Sequence, residues 1–119
     1  MDRKKELKQM YKDTPTPMGV YQIKNLKNGR VFIGSNTNVQ GKINSNRFQL
    51  IHDCHRNKAL QNDWNQYGAD AFSFDTLELI NPDKVAKEDW RNAVAALEEK
   101  WLDKLKPYGE NGYNTEKAE

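Results

Sequence analysis

Lysine and arginine side chains are concentrated in the first half of the chain. Residues 1–58 contain twelve Lys and Arg against four Asp and Glu, a balance of +8, and residues 59–119 contain seven against thirteen, a balance of −6. Clustered cations suit a surface that follows a phosphate backbone, and the carboxylates elsewhere are available for metal binding or acid–base chemistry. The cations of interest, which could equally be ordinary solvated charges, are Lys24, Lys27, Arg30, Lys42, Arg47, Arg56 and Lys58.

A second group of reactive side chains is His52-Asp53-Cys54-His55. Imidazole and thiolate could bind a soft metal such as zinc, although a fourth protein ligand would have to be Asp53 or a remote residue. A structural zinc site is therefore a minor alternative. Cys54 is the only cysteine, which excludes an internal disulfide and Cys-based zinc fingers and favours a reducing, cytoplasmic setting.

Length and composition indicate one small globular domain. The chain has 119 residues, of which 36% are hydrophobic and 30% charged, and its mean hydropathy is −1.03. Three Trp, five Tyr and four Phe supply bulk for a core. No apolar run approaches the ~20 residues that a membrane-spanning helix needs, and no signal-peptide pattern follows the N-terminus. We therefore expect neither a membrane protein nor a secreted one.

The elements that would position these residues begin with a β-hairpin. Residues 19–25 and 30–35 are rich in β-branched and aromatic side chains, and Asn28-Gly29 between them is typical of a two-residue turn. This turn would pair Tyr21 with Asn36 and Ile23 with Gly34. Period-two alternation places Tyr21, Ile23, Phe32 and Gly34 on one face of the hairpin, and Val20, Leu26, Val31 and Ile33 on the other.

The other segments are mainly predicted to be helices. Apolar spacing and stop signals predict a basic helix over 1–13, which ends at a proline-rich turn, and partial helix over 36–50. The same signals predict a helix from Asn57 to Tyr67, with Gly68 as its stop, and a long helix over 84–105. Residues 71–80 alternate as a third strand, which we expect to be central in the sheet. Residues 108–114 form a turn-rich tail.

These elements follow the order α-β-β-α-α-β-α, which predicts a small α/β (α+β) domain. Its three-stranded, mostly antiparallel sheet would be flanked by helices. We assign residues 1–17 to the N-terminal helix and turn, 18–114 to the domain and 115–119 to a tail.

Short sequences on these elements resemble the GIY-YIG nuclease superfamily over residues 18–114. The matching residues are Gly19-Val20-Tyr21, Phe32-Ile33-Gly34, His55, Glu98 and Asn114, in that order. The first strand, GVYQIKN, and the closing Gly-Tyr-Asn are most similar to the catalytic domain of phage intron-encoded homing endonucleases.

The resemblance implies an endonuclease that hydrolyses DNA phosphodiester bonds with Mg²⁺ or Mn²⁺. Tyr21 would serve as the base or water positioner, and Glu98 would be the only protein ligand of the metal. A single carboxylate suits Mg²⁺, which keeps most of its water ligands. His55 and Asn114 fall on the family's histidine and asparagine. The implied nucleic-acid contacts are Lys24, Lys27, Arg30, Arg56 and Lys58.

Two positions depart from the family pattern. Phe32 stands where the second motif has tyrosine, so no hydroxyl is present there. Lys42, eight residues after Gly34, stands where the family has an arginine; lysine keeps the charge and loses the bidentate fork. Arg47 could take over the arginine's role if the helix starts late.

Other interpretations remain open at this stage. Tyr21 could be an ordinary strand aromatic, Glu98 one of several helix-surface acids, and Asn114 a turn residue. The protein could be a catalytically weakened member that binds nucleic acid or a protein without cutting, or a plain α/β interaction module. Because no separate DNA-recognition module is present in the sequence, we expect modest sequence specificity or a protein partner that supplies it.

Overall fold

The computed structural model describes residues 17–115 and contains a three-stranded antiparallel sheet with three helices. The predicted α+β class is therefore confirmed. The strands are β1 (Met18–Asn25), β2 (Val31–Asn36) and β3 (Phe72–Ile80), and the helices are α1 (Val39–Ile51), α2 (Lys58–Tyr67) and α3 (Trp90–Leu105). The helix predicted over 1–13 lies outside the described residues.

The strand order is β2-β1-β3, so β1 is the central strand. Burial agrees with this order, because Met18, Val20, Tyr21 and Ile23 of β1 are all buried. The expectation that the third strand is central was wrong. After the hairpin, the chain crosses through α1 and α2 and returns on the other side of β1, which places β3 at an edge.

The hairpin register differs from the predicted one by two residues. Tyr21 pairs with Gly34 and Ile23 with Phe32, so the predicted partners were wrong. A type I′ turn needs positive φ at both central residues, and in this loop only Gly29 has it, at 78°. The Asn25 N–H instead donates to the Arg30 carbonyl, which closes a longer loop.

A shift of two residues preserves the faces of the strands, because side chains alternate with a period of two. Tyr21 and its predicted neighbours therefore still share one face, as the pairing shows. Leu26 is the exception among the assigned residues. It lies in the loop with 59% of its surface exposed, rather than on the opposite face.

Helices cover both faces of the sheet. The main core lies between the Tyr21 face and α1 and α2, where Ile43, Leu50, Leu60 and Trp64 pack. On the opposite face, α3 packs against β2 and β1, and the Trp101 indole donates to the Glu78 carboxylate. Candidate site residues therefore lie in both helix layers, with His55 following α1 and Glu98 on α3.

Two of the helix boundaries follow local capping. In α2, the Asn57 side chain accepts the Leu60 N–H at 3.0 Å and Gly68 ends the helix at φ 88°, both as predicted. The third helix begins at Trp90 rather than at residue 84, because Pro82–Lys84 and Lys87–Asp89 form separate 3₁₀ turns.

Within residues 17–115, no helix is long and apolar enough to cross a bilayer.

Candidate active site

Tyr21 occupies the middle of the central strand with its ring lying across Gly34 of β2. Only 2% of the residue is exposed. A Cβ atom at position 34 would come within 2.5 Å of the ring Cζ and 2.8 Å of Cε1, so any larger residue there would displace the phenol. Gly34 therefore makes room for the Tyr21 hydroxyl. Gly19 similarly allows close approach to β3, since its Cβ would lie 2.9 Å from Leu79 Cα.

The Tyr21 hydroxyl is held by Asn46 of α1. Asn46 Nδ2 donates to the hydroxyl oxygen at 3.0 Å and to the Lys42 carbonyl at 2.8 Å, while Asn46 Oδ1 lies 2.6 Å from His55 Nε2. Asn46 is 4% exposed. Sequence inspection did not single it out, although an Asn spaced between Ile43 and Leu50 on a buried helix face was an available signal.

His55 is buried, and both of its ring nitrogens are engaged. The Asn57 N–H donates to Nδ1 at 3.0 Å, which leaves the proton of the neutral ring on Nε2, facing Asn46. Burial, together with the positive charges of Lys42 and Arg56, lowers the pKa of His55. The imidazole is therefore neutral at neutral pH.

Burial raises the pKa of Tyr21 to about 12. The hydrogen bond from Asn46 acts in the opposite direction, and the negative charge of Glu98 raises the pKa further. Glu98 is half-buried on α3, and its charge influences Tyr21 although the two residues belong to different elements. The hydroxyl is protonated at neutral pH and can donate a hydrogen bond.

Phe32 and Lys42 lie beside this group. The Phe32 ring is edge-on to His55, with 5.9 Å between centroids, and 6.5 Å from the Tyr21 ring. Lys42 is exposed, and its charge acts on His55. The structure thus places Phe32 near both Tyr21 and His55, and the charge of Lys42 acts on His55.

Asn114 lies against the outer edge of β2. Its Oδ1 accepts the Ile33 N–H and its Nδ2 donates to the Ile33 carbonyl, both at 2.8 Å. The amide thus pairs with β2 as a strand backbone would. Both of its polar atoms are occupied, so Asn114 acts here by fixing the strand that carries Gly34.

Arg47 is not placed to replace the family's arginine. Its guanidinium lies over the Phe74 ring of β3, 4.5 Å from the centroid, on the side of α1 away from Lys42. Arg30 is held at the hairpin end, where Nε donates to the Glu110 carbonyl at 3.3 Å and NH1 lies 4.0 Å from Asp63. Arg56, also a predicted nucleic-acid contact, carries a positive charge that helps to lower the pKa of His55.

The remaining predicted contacts are distributed along the sheet and its loops. Lys24 lies in β1 between Val31 and Ser73, Lys27 lies in the hairpin loop, and Lys58 begins α2. The structure does not gather these three around Tyr21. Lys24 is half-buried, whereas Lys27 and Lys58 are exposed.

The zinc alternative is not supported by the arrangement of His52, Cys54 and His55. The His52 ring stacks on Phe48 with centroids 4.2 Å apart, Cys54 is exposed, and His55 is buried with both nitrogens engaged. Among residues 17–115, no three His, Cys, Asp or Glu side chains are grouped so that they could hold a metal ion.

Comparison with solved structures identifies a similar domain. The catalytic domain of the homing endonuclease I-TevI is 29% identical with a TM-score of 0.68, covering 84% of this chain and 99% of that one. A mutant of the same catalytic domain, in which a glutamate is replaced by alanine, is 28% identical with a TM-score of 0.67, covering 83% and 93%. No curated protein matches the chain significantly.

The family comparison agrees with the geometry of the site. The model of the GIY-YIG catalytic domain matches residues 17–114, a span that begins just before β1 and ends at Asn114. It therefore includes Tyr21 and Gly34 on the paired strands, and Glu98 on α3. The chain belongs to the GIY-YIG family and carries a nuclease domain of that fold.

Proposed function

We propose that this protein is a divalent-metal-dependent endonuclease that hydrolyses DNA phosphodiester bonds. The observation that carries the proposal is the Tyr21 hydroxyl, which is buried, oriented by Asn46 at 3.0 Å and coupled to the charge of Glu98. A buried, oriented hydroxyl whose pKa is influenced by a carboxylate is an arrangement that active sites use. The similarity to the catalytic domain of a homing endonuclease supports DNA as the substrate.

Glu98 is the residue that would hold the metal ion, Mg²⁺ or Mn²⁺. A site with one carboxylate fits these ions, since they keep several water ligands and bind substrate phosphate. Glu98 is half-buried on α3, and its negative charge acts on Tyr21. When bound, the metal would stabilise negative charge on the phosphate oxygens. Lys42, which is exposed and whose charge acts on His55, would add positive charge on the His55 side of the site.

Tyr21 would act on the attacking water. With a pKa of about 12, roughly one Tyr21 in ten thousand is ionised at pH 8, so the hydroxyl orients the water by hydrogen bonding in nearly every molecule. Positive charge near Glu98 would oppose the electrostatic effect that raises this pKa and would therefore increase the fraction of Tyr21 that is ionised. Only this phenolate form could accept a proton from the attacking water.

Incubation with supercoiled plasmid and with single-stranded DNA, each in Mg²⁺, Mn²⁺ or EDTA, tests the proposal. We expect cleavage with the metals and none with EDTA. Glu98→Gln should abolish the metal-dependent reaction. Glu99→Gln is the matched control, because residue 99 is exposed and turned about 100° around the helix from Glu98. Equal cleavage by wild type and Glu98→Gln would remove the metal site from the mechanism.

A second candidate function is DNA binding without cleavage. The specific observation in its favour is Phe32, whose ring lies beside His55 and Tyr21 without a hydroxyl. If that hydroxyl is required, wild-type protein will bind DNA and leave it intact, and Phe32→Tyr with Lys42→Arg should restore cleavage. If wild type and this folded double variant are both inactive, the binding function stands and the nuclease function does not.

A further inference from the structure

Three buried side chains form a continuous hydrogen-bonded chain that ends at the Tyr21 hydroxyl. His55 is 4% exposed, Asn46 4% and Tyr21 2%. Asn46 bridges the other two, with its oxygen 2.6 Å from His55 Nε2 and its nitrogen 3.0 Å from the Tyr21 oxygen. No water is needed to complete the connection between α1, β1 and the loop after α1.

The backbone fixes the direction of every hydrogen bond in this chain. The Asn57 N–H can only donate, so His55 Nδ1 must accept and the neutral ring carries its proton on Nε2. Asn46 must then present its oxygen to His55. Its nitrogen faces the Lys42 carbonyl, which can only accept a hydrogen bond. If the amide were reversed, its oxygen would face the Lys42 carbonyl oxygen and its nitrogen would face the His55 Nε2–H, and neither pair could form a hydrogen bond.

The remaining Asn46 N–H therefore points at the Tyr21 oxygen, which must accept it. An amide nitrogen cannot accept a hydrogen bond in return, so the Tyr21 O–H proton is directed away from Asn46. The phenol ring is confined by Gly34 and by burial, and its hydroxyl has few other orientations.

We propose that Asn46 is a positioning residue that, held by a neutral His55, makes the Tyr21 hydroxyl a hydrogen-bond donor to substrate or its attacking water. This inference rests on the proposed nuclease function and deepens it. It assigns His55 the role of a donor to Asn46 rather than that of an acceptor of the reaction's proton.

The two assignments for His55 are separated by a matched pair of variants. Glutamine can place an N–H close to the position of Nε2 and cannot act as a base at neutral pH, whereas leucine offers no donor. We expect His55→Gln to recover most of the single-turnover cleavage rate that His55→Leu loses. His55→Leu and Asn46→Leu should lose about 10–100-fold in single-turnover rate, as expected when a supporting hydrogen bond is removed, with unchanged DNA affinity.

A double-mutant cycle separates positioning from a general loss of structure. In a Tyr21→Phe background, no hydroxyl remains to be oriented, so Asn46→Leu should cause no further loss of rate. Circular dichroism and urea unfolding establish that each variant is folded. A rate loss for Asn46→Leu that is the same in both backgrounds, or a His55→Gln variant as inactive as His55→Leu, would overturn the proposal.

A readout independent of cleavage keeps this inference distinct from the proposed function. The Tyr21 ¹³Cζ resonance, recorded with labelled tyrosine, should shift in Asn46→Leu and His55→Leu and stay near its wild-type position in His55→Gln. If wild-type protein does not cut DNA, the nuclease proposal fails and these shifts still decide whether the chain orients Tyr21. An unchanged Tyr21 resonance in Asn46→Leu would refute the positioning role by itself.

Discussion

Replacing Gly34 with alanine should destabilise the protein because of Tyr21 specifically. The new Cβ would overlap three atoms of the Tyr21 phenol, namely the hydroxyl oxygen and two ring atoms, Cζ at 2.5 Å and Cε1 at 2.8 Å. The ring is 2% exposed and has no open space to enter. Overpacking of this kind costs about 1–3 kcal/mol, and three overlapping atoms place the cost near the upper end. Alanine in a strand recovers about 0.5–1 kcal/mol of backbone entropy relative to glycine, so the net loss is about 2 kcal/mol.

The same substitution in a Tyr21→Leu background isolates the cause. Leucine ends before the ring atoms that overlap, so only the backbone entropy term remains, and Gly34→Ala should stabilise that variant by about 0.5–1 kcal/mol. Urea unfolding of the four proteins measures both values. The change of sign is the diagnostic result. An equal loss in both backgrounds would show that the conflict lies in the backbone of β2 and that Gly34 does not serve Tyr21.

Three further predictions concern other parts of the structure. Because burial lowers the pKa of His55, the folded state binds fewer protons than the unfolded chain, so the free energy of unfolding should fall as the pH drops below about 6.5. Urea titrations at several pH values should show a shallower fall for His55→Gln than for the wild type. Asn57→Ala should cost about 1–2 kcal/mol in thermal unfolding, since it removes the cap on Leu60 and the bond to the Tyr113 carbonyl, whereas Asn62→Ala on the exposed face of α2 should change little. DNA affinity, measured by fluorescence anisotropy, should fall steeply between about 50 and 200 mM salt, and a flat profile would contradict binding through phosphate contacts.

Local signals predicted the parts of the fold that depend on local chemistry. The ends of α2 at Asn57 and Gly68 could be predicted, because a side-chain cap and a positive φ are properties of single residues. The shared face of Tyr21 and Gly34 was also predictable, since it depends only on the parity of the pairing. Parity is sufficient to place the Tyr21 ring and Gly34 on one side of the hairpin.

Features that depend on distant parts of the chain were not predictable in the same way. The hairpin register depends on whether Asn28 adopts positive φ, which it does not, and the order of the strands depends on where the chain returns after α2. Residues 82–89 break into 3₁₀ turns that periodicity alone could not distinguish from helix.

The candidate site shows the same division. Residue types and order identified Tyr21 and His55, but their connection passes through Asn46, whose role depends on two contacts remote in sequence. Arg47 is the converse case, because its spacing suited a phosphate contact and the fold turns it onto Phe74.

The most direct test of the account is the single-turnover cleavage rate of wild type and Tyr21→Phe on one fluorescent DNA duplex in Mn²⁺. The two proteins differ by one oxygen atom, so DNA binding, checked by anisotropy, should be unchanged. Assistance to an attacking water is worth about 10²–10⁴-fold, and Tyr21→Phe should slow cleavage by that factor. Tyr67→Phe, an exposed tyrosine on α2, should cleave at the wild-type rate. Equal cleavage by wild type and Tyr21→Phe would contradict the central claim that the Tyr21 hydroxyl acts on the reaction.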